Sequence, residues 1–215
     1  MVPRILHQIT GPKKNFVVEH CLASWHAVHE QGFSIRIWND DMLTDFISEK
    51  YPFALHAFLK ARNHAEAADI ARYLLVYHTG GFYMDWDVQL LNMEKFIQLV
   101  EDTPDGFLIQ DPLNATLASE AFSAKKNEQY LIKLVESIVQ LYDQKLRDTM
   151  GTPQYSGPYR MRDALTCFSS DQSILPVNDV FVYNYREIRE MPERVITQPL
   201  IHYWLHSWVH LNDNK

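Results

Sequence analysis

The two carboxylates of Asp85-Trp86-Asp87 are the side chains in this sequence that are best suited to chemistry. Residues 82–90 alternate between two faces, which predicts a strand that presents both acids on one side, about 6.6 Å apart along the backbone. Oxygen ligands so placed can share one Mg²⁺ or Mn²⁺, and such an ion can neutralise a departing phosphate. With 27 acidic residues among 215, about three acid-x-acid triplets arise by chance, so two solvated carboxylates are the alternative.

A second charged pair, Asp69 and Arg72, lies three residues apart on a predicted helix over residues 64–79, and the two side chains therefore share a face. The residues around the pair are apolar, and removing charge from water is costly unless the group finds a partner. Binding the hydroxyls of a sugar would explain charges at this place. A surface ion pair of little energetic value is the alternative.

The elements that must position these residues follow one another as strand, helix, strand and helix, an order that predicts an α/β fold with a sheet. The long helix that carries Asp69 ends at Gly80-Gly81, where a positive φ angle is needed, and leads directly into the acidic strand. The predicted ranges in this half of the chain are strands at residues 5–9 and 33–38, a helix at 16–29, and a helix from Met42 that Asn39, Asp40 and Asp41 cap.

The second half of the chain has weaker signals. We predict a strand at residues 106–110, a helix at 128–145 and a late strand at 180–185. Glycine and proline residues between positions 149 and 171 indicate a loop. No linker or internal repeat divides the sequence, so one domain over residues 1–215 is expected.

Composition narrows the function classes. The formal net charge is −7, with 20 basic and 27 acidic residues, and this balance argues against a nucleic acid partner. Cys21 and Cys167 have no metal-binding or redox spacing, and we interpret them as reduced thiols in the core. No apolar run is long enough to cross a bilayer and no signal peptide is visible, so a cytoplasmic protein with at most peripheral membrane contact is expected.

The run from Ala68 to Val88, ADIARYLLVYHTGGFYMDWDV, resembles the signature of the sugar-binding D-x-D glycosyltransferases. That family contains bacterial capsular-polysaccharide transferases and fungal initiating α-1,6-mannosyltransferases, with the glucosylating clostridial toxins as more distant relatives. Residues 2–9 and 34–40 are similar to the family's first two strands, and Gly157-Pro158 and residues 202–208 also fit. The resemblance thus runs in order over most of the chain.

This resemblance implies a GT-A-like fold, here one α/β domain with a mixed central sheet. It also implies a retaining glycosyltransferase that moves a hexosyl unit from a nucleotide-diphospho-sugar, with UDP or GDP as the nucleotide, to an acceptor hydroxyl. The implied cofactor is Mn²⁺ or Mg²⁺. The acceptor would be a glycan, a lipid-linked molecule or a protein, in surface polysaccharide or glycan synthesis.

The resemblance also assigns roles to single residues. Asp87 would bind the metal directly, and Asp85 would contact the metal shell and the ribose. Asp69 and Arg72 would hold the hydroxyls of the donor sugar. His202 resembles a histidine that completes the metal shell in related enzymes; alternatively, His202, His206 and His210 form an amphipathic stripe, because they are spaced four apart.

Further residues are expected to bind the donor by the same resemblance. Ser207 and Trp208 would close over the diphosphate, and Tyr83 would pack near the sugar. The remaining expected donor contacts are His7, Gln8, Ile9, Thr10 and Trp86.

Two positions depart from the family pattern. The family usually has a tryptophan suited to stacking on the donor base where this chain has Thr10, so base recognition must differ or use Phe16 or another aromatic residue. Many members carry an asparagine near Glu120. If Glu120 faces the anomeric carbon, it would be a catalytic nucleophile or an electrostatic stabiliser; an exposed loop acid is the alternative.

Two other function classes stay open at this point. The small size of the chain leaves room for a sugar-nucleotide hydrolase or for a donor-binding module without transfer; release of sugar into water, or binding without turnover, would identify them. A phosphohydrolase that uses the acidic pair ranks last, because the sequence has no nucleophilic aspartate motif or second metal cluster.

Overall fold

A mixed β-sheet with helices on both faces forms the framework of the protein. The computed structural model describes residues 1–11 and 14–205. The strands are β1 (Ile5–Ile9), β2 (Ser34–Trp38), β3 (Gly81–Met84), β4 (Val88–Leu90), β5 (Gly106–Asp111), β6 (Thr116–Leu117), β7 (Ala121–Ala124), β8 (Ser173–Pro176) and β9 (Leu200–His202). The α-helices are α1 (Phe16–Ser24), α2 (Asp40–Lys50), α3 (Pro52–Leu59), α4 (His64–Thr79), α5 (Met93–Asp102), α6 (Gln129–Asp143), α7 (Thr152–Tyr155), α8 (Pro158–Cys167) and α9 (Val177–Val180), and 3-10 turns occupy Trp25–Gln31, Arg147–Thr149 and Glu187–Arg189.

The main sheet has the strand order β2-β1-β3-β7-β5-β6, and β8 also pairs with β5. Strand β1 is parallel to both β2 and β3, whereas β7 runs antiparallel to β3 and β5. A separate two-stranded sheet joins β4 to β9 in antiparallel register. Because β1, β2 and β3 are parallel, their carboxyl ends meet at one edge, and ligands of open α/β sheets bind at such edges.

Two apolar cores lie on the two faces of the main sheet. One contains the buried residues of α4, α6 and the α2–α3 region, and the other contains Trp25, Phe82, Phe96 and α9. Burial of large apolar side chains on both faces is the main stabilising contribution to such a layered fold. The sheet edge that carries the acidic residues is thereby held on a rigid support.

Helix α4 sets the direction from which the acidic segment enters the sheet. The Asn63 side chain accepts a hydrogen bond from the Glu66 amide at 2.9 Å and caps the first turn. Gly80, with φ of 69°, ends the helix, and Gly81 follows with φ of 115°. A Cβ on Gly81 would lie 2.4 Å from the Ile5 carbonyl oxygen, so only glycine permits this approach to β1.

Many of the predicted elements are confirmed, including β1, α4 and the mixed α/β sheet, and the strands and helices predicted at 33–38, 106–110 and 128–145 differ only at their ends. The helix predicted at residues 16–29 is α-helical only to Ser24 and continues as a 3-10 turn. The predicted fold class, α/β with a mixed central sheet, is confirmed.

Three predictions about the backbone are wrong. The strand expected over residues 82–90 is broken, because β3 ends at Met84 and β4 belongs to the other sheet. The expected loop at 149–171 contains α7 and α8, since proline is favourable in the first turn of a helix and here begins α8. The strand expected at 180–185 is wrong as well: α9 ends at Val180, and only Phe181 makes an isolated bridge, to Leu200.

The cysteines are unpaired, as expected, but only one lies in the core. Cys21 is buried, which raises the pKa of its thiol to about 12. Cys167, at the end of α8, is exposed, so its expected place in the core is wrong.

Candidate active site

The two acidic residues lie in a turn between the two sheets. The Asp85 amide donates to the Glu120 carbonyl at 2.8 Å, and the Val88 amide donates to the Asp85 carbonyl at 3.0 Å. The expectation that Asp85 and Asp87 share one strand face is therefore wrong. The turn still brings their carboxylates together, because it folds the backbone back within three residues.

His202 joins the two acids from a distant part of the chain. It lies opposite Val88 in the β4–β9 ladder, and its Nε2 is 3.2 Å from Asp87 Oδ1. Ligand atoms of Asp85, Asp87 and His202 all lie within 4.8 Å of one another. Carboxylate oxygens together with an imidazole suit a divalent ion such as Mn²⁺, so the donor set fits the implied cofactor.

Neighbouring charges shift the pKa values of Asp87 and His202. Burial by itself would raise the pKa of Asp87, but the facing His202, their hydrogen bond and the Leu205 amide lower it overall. Burial would likewise lower the pKa of His202, but Asp87 and then Glu120 raise it to about 10. The two carboxylates thus favour the protonated ring, and metal binding through a ring nitrogen would release a proton.

The segment after β9 also reaches Asp87. The Leu205 amide donates to Asp87 Oδ2 at 2.9 Å, and the Tyr203 amide donates to the Asp87 carbonyl at 3.1 Å. Between them, Trp204 adopts φ of 44°, a left-handed conformation that is uncommon for a bulky residue. Residues held in such conformations cluster at active sites and ligand clamps.

Arg72 connects the acidic turn to helix α4. It is buried, with its Nη1 2.7 Å from the Ser119 carbonyl oxygen and 3.2 Å from Asp85 Oδ1. The guanidinium lies over the Tyr83 ring at 4.6 Å, and the Tyr83 hydroxyl donates to Asp85 Oδ1 at 2.6 Å. Burial raises the pKa of Asp85, although Arg72 opposes this effect.

Asp69 is buried next to Arg72. Its Oδ1 is 3.5 Å from Arg72 Nη2, and its Oδ2 accepts a hydrogen bond from Ser156 Oγ at 2.7 Å. Burial raises the pKa of Asp69 to about 6, and Arg72 and Ser156 only partly offset it. Burial lowers the pKa of the Arg72 guanidinium, but the carboxylates of Asp85 and Asp69 raise it, and Asp85 has the stronger effect. Arg72 therefore keeps its charge. Sequence reasoning missed Ser156, although it singled out the adjacent Gly157-Pro158.

One cavity of about 870 Å³ brings most of the predicted site residues together. Its lining includes Asp69, Arg72, Asp85, Trp86, Asp87, Glu120 and His202. Further lining residues that sequence reasoning did not select include Asp111, Asn114, Thr152, Tyr159, Tyr185 and Trp204. Tyr83 is buried behind Arg72 and is not part of the lining.

Glu120 lies immediately before β7 and lines the cavity. Its side chain is only 12% exposed, and its Oε1 is 3.6 Å from His202 Nδ1. The alternative that Glu120 is an exposed loop acid is thus wrong. The strand that follows, from Ala121, carries no strong sequence signal.

The residues predicted on the first strand lie elsewhere. His7 accepts a hydrogen bond from Trp38 Nε1 at 3.1 Å, and burial lowers its pKa to about 4. Gln8 and Ile9 are buried, and Thr10 bonds to the Trp38 carbonyl. None of these four lines the cavity, and their contribution to donor binding stays a prediction.

The aromatic residues offered for base recognition differ in position. Phe16 is 80% exposed at the start of α1. Trp86 lines the cavity and packs over Gly11, where an added Cβ would lie 3.1 Å from the indole ring. The expected Ser207 and Trp208, like His206 and His210, lie outside the described residues.

Residues 16–104 match the model of a family described as "Glycosyltransferase sugar-binding region containing DXD motif". The chain is similar to inositol phosphoceramide mannosyltransferase 1 of Schizosaccharomyces pombe, at 30% identity over 40% of this chain and 28% of that protein. It is also similar to mannosyl phosphorylinositol ceramide synthase SUR1 of Saccharomyces cerevisiae, at 31% identity over 40% of this chain and 23% of that protein. The matches thus span about a quarter of these relatives.

Solved glycosyltransferase structures support the GT-A-like fold expected for this chain. PaToxG glycosyltransferase superposes with a TM-score of 0.55 at 14% identity, covering 77% of this chain and 69% of its own. The apo form of GlyE from Streptococcus pneumoniae TIGR4 has a TM-score of 0.58 at 13% identity, covering 97% and 56% respectively. At these identities the likeness concerns the fold alone.

Proposed function

We propose that this protein is a metal-dependent, retaining glycosyltransferase that moves a hexosyl unit from a nucleotide-diphospho-sugar to an acceptor hydroxyl. The observation that carries the proposal is that one cavity holds Asp85, Asp87 and His202 beside the buried pair Asp69 and Arg72. The first group suits a divalent ion and the second suits sugar hydroxyls. The glycosyltransferase family whose model residues 16–104 match supports the same reaction class.

Each group has a separate task in this proposal. A Mn²⁺ or Mg²⁺ ion held by Asp85, Asp87 and His202 would supply positive charge to the departing diphosphate. Asp69 accepts hydrogen bonds from the hydroxyls of the donor sugar, and Arg72 donates to them, so that the pair fixes the sugar's orientation. Tyr83 keeps the Arg72 guanidinium in place through its ring.

Retention follows if the acceptor enters on the face that the diphosphate leaves. The bond from the anomeric carbon to the diphosphate oxygen breaks, a bond to the acceptor oxygen forms, and the acceptor proton passes to the departing diphosphate. This route needs no protein nucleophile. Glu120 is the alternative nucleophile, because its carboxylate is in the same cavity.

Similarity to named relatives suggests which donor and acceptor to test first. Two of the relatives are named as a mannosyltransferase and a mannosyl phosphorylinositol ceramide synthase, which makes a mannosyl group the first to test in a UDP- or GDP-linked donor. A glycan, a lipid-linked molecule or a protein would be the acceptor, in surface polysaccharide or glycan synthesis.

Among the described residues, no helix combines the length and apolarity that spanning a membrane requires. We further propose a cytoplasmic single-domain protein with at most peripheral membrane contact and no nucleic acid partner.

The test is a screen of UDP- and GDP-hexoses for nucleoside diphosphate release by the full chain, with Mn²⁺ or with EDTA, followed by NMR of the product's anomeric configuration. We expect Asp87→Asn to lower turnover at least 100-fold, because removing a charge-stabilising group at a reacting centre costs about this much. Asp45→Asn, at an exposed position of α2, is the matched control.

The opposing outcomes are distinct. Full activity in EDTA would refute the metal dependence, and an inverted product would refute retention. Sugar release into water regardless of acceptor would identify a hydrolase. Donor binding without turnover across the screen would identify a binding module.

A further inference from the structure

The His202 ring has a carboxylate at each of its two nitrogens. Nε2 is 3.2 Å from Asp87 Oδ1, and Nδ1 is 3.6 Å from Glu120 Oε1. The imidazole is buried, and within the described residues Nδ1 has no hydrogen-bond partner. The carboxylate of Glu120 is the acceptor placed to satisfy it, at a distance just longer than a hydrogen bond.

Separate parts of the fold hold the two residues in this arrangement. His202 is fixed by the β4–β9 ladder, and its ring is covered by Trp204 at 4.1 Å and Phe181 at 5.8 Å between ring centroids. Glu120 is fixed by its carbonyl, which accepts the Asp85 amide. A 180° flip of the imidazole about the Cβ–Cγ bond would exchange nitrogen and carbon positions, so a partner at Nδ1 distinguishes the two orientations.

A histidine that binds a metal presents one nitrogen to the ion, while a hydrogen bond to the other nitrogen selects the tautomer and the ring orientation. In the neutral ring that binds a metal, an Nδ1–H directed at Glu120 leaves the free electron pair on Nε2. Nε2 is also the nitrogen on the side of Asp87. The geometry therefore places Asp87 beside the nitrogen that would bind the metal and Glu120 beside the nitrogen that carries the hydrogen.

We infer that Glu120 is the positioning residue of His202: its carboxylate accepts the Nδ1–H and thereby presents Nε2 to the ion that Asp85 and Asp87 share. This inference rests on the metal site of the proposed function. It differs from a nucleophilic role for Glu120, because the carboxylate acts on the histidine ring and leaves the donor sugar untouched.

The experiment measures Mn²⁺ affinity of the full chain by electron paramagnetic resonance, without any nucleotide, for wild type, Glu120→Ala and Glu120→Gln. The glutamine amide oxygen still accepts the Nδ1–H, whereas alanine does not. We expect Glu120→Ala to bind Mn²⁺ about 10–100-fold more weakly, the usual effect of losing the partner of a metal-binding histidine, and Glu120→Gln to stay close to wild type. Asp111→Asn, which removes the same charge from the same cavity, is the control and is expected to match wild type.

A second readout is the imidazole itself. In the metal-free protein, ¹H–¹⁵N NMR should detect a slowly exchanging Nδ1–H of His202 in wild type and in Glu120→Gln, and lose it in Glu120→Ala. This signal separates positioning from a purely structural role, since a general loss of stability would change the amide spectrum as well.

Several results would overturn the inference. Equal Mn²⁺ affinity in wild type and Glu120→Ala would show that the carboxylate does not position the ring. An equal loss in the alanine and glutamine variants, with Asp111→Asn unaffected, would assign the effect to charge. Failure of the wild-type chain to bind Mn²⁺ at all would instead refute the metal site of the proposed function, and this inference with it.

Discussion

Asp69 is a carboxylate for which burial outweighs the attraction of a neighbouring cation. Its side chain is about 5% exposed and faces both Arg72 and Ser156, yet its pKa is raised to about 6. A buried acid that lowers the stability of the fold is expected at a functional site. In the proposed reaction, that need is the orientation of the donor sugar.

This shift predicts the sign of a pH effect on stability. Because the folded pKa lies above the usual value of 3.8, the unfolded chain releases the proton first, and the stability linked to Asp69 is lost as pH rises from about 4 to about 6. Asp69→Asn has no proton to lose. We expect its free energy of unfolding, relative to wild type, to rise by about 2–3 kcal/mol between pH 4 and pH 7.5.

Urea unfolding at the two pH values measures this difference, with Asp45→Asn as the control for loss of an exposed acid. Parallel stability profiles for Asp69→Asn and wild type would show that the Arg72 contact compensates the burial of Asp69 in full. The same variant is expected to lose transfer activity, which separates its effect on the site from its effect on the fold.

At the scale of elements, the site depends on how α4 passes into β3. The helix places Asp69 and Arg72, and the strand delivers Asp85 one residue after its end. Gly81 makes this passage possible, because its φ of 115° and its approach to the Ile5 carbonyl leave no room for a side chain. The parallel register of β1 and β3 begins at the next residue, Phe82.

We therefore expect Gly81→Ala to destabilise the protein by at least 2 kcal/mol more than Gly32→Ala. Gly32 also has a positive φ, of 77°, but an added Cβ would meet only the tip of Arg4 at 3.9 Å. Backbone strain is thus common to both variants, and the steric clash with the backbone of β1 is specific to Gly81→Ala. Chemical unfolding of both variants gives the comparison, and equal losses would mean that the sheet accommodates the extra methyl group.

At the scale of the whole molecule, the cavity is closed by pairing between distant parts of the chain. Strand β9 pairs with β4, and its Leu200 and Ile201 are buried. The same strand supplies His202 to the acidic turn. Removing β9 would therefore disturb the core and the site together.

Two truncations test this arrangement. Ending the chain after Pro199 removes β9, and we expect a loss of about 3–6 kcal/mol in the free energy of unfolding, from the burial of two large apolar side chains. Ending it after Leu205 keeps β9 and the contact of the Leu205 amide with Asp87. This second variant should fold, and should bind nucleoside diphosphate more weakly if Ser207 and Trp208 close over it as the family resemblance implies.

Thermal unfolding and calorimetric titration with Mn²⁺ and nucleoside diphosphate measure the two effects. Unchanged diphosphate affinity after truncation at Leu205 would remove Ser207 and Trp208 from the donor site. A stable fold after truncation at Pro199 would contradict the place of β9 in the core.

Local signals in the sequence predicted a large part of this molecule. The bounds of β1 and α4 agree with their predicted ranges, because a strand with buried apolar residues and a capped helix depend on interactions within a few residues. The types and spacing of Asp69, Arg72, Asp85 and Asp87 pointed to one chemistry, and the structure places all four around one cavity.

Tertiary structure decided what the local signals could not. Alternation across residues 82–90 predicted one strand, but the pairing of β4 with β9 draws the chain into a second sheet and converts the acidic pair into a turn. Ser156 reaches Asp69 across 87 residues, and His202 meets Glu120 only through the packing of two sheets. Such contacts depend on which distant surfaces bury each other, and neither residue spacing nor periodicity carries that information.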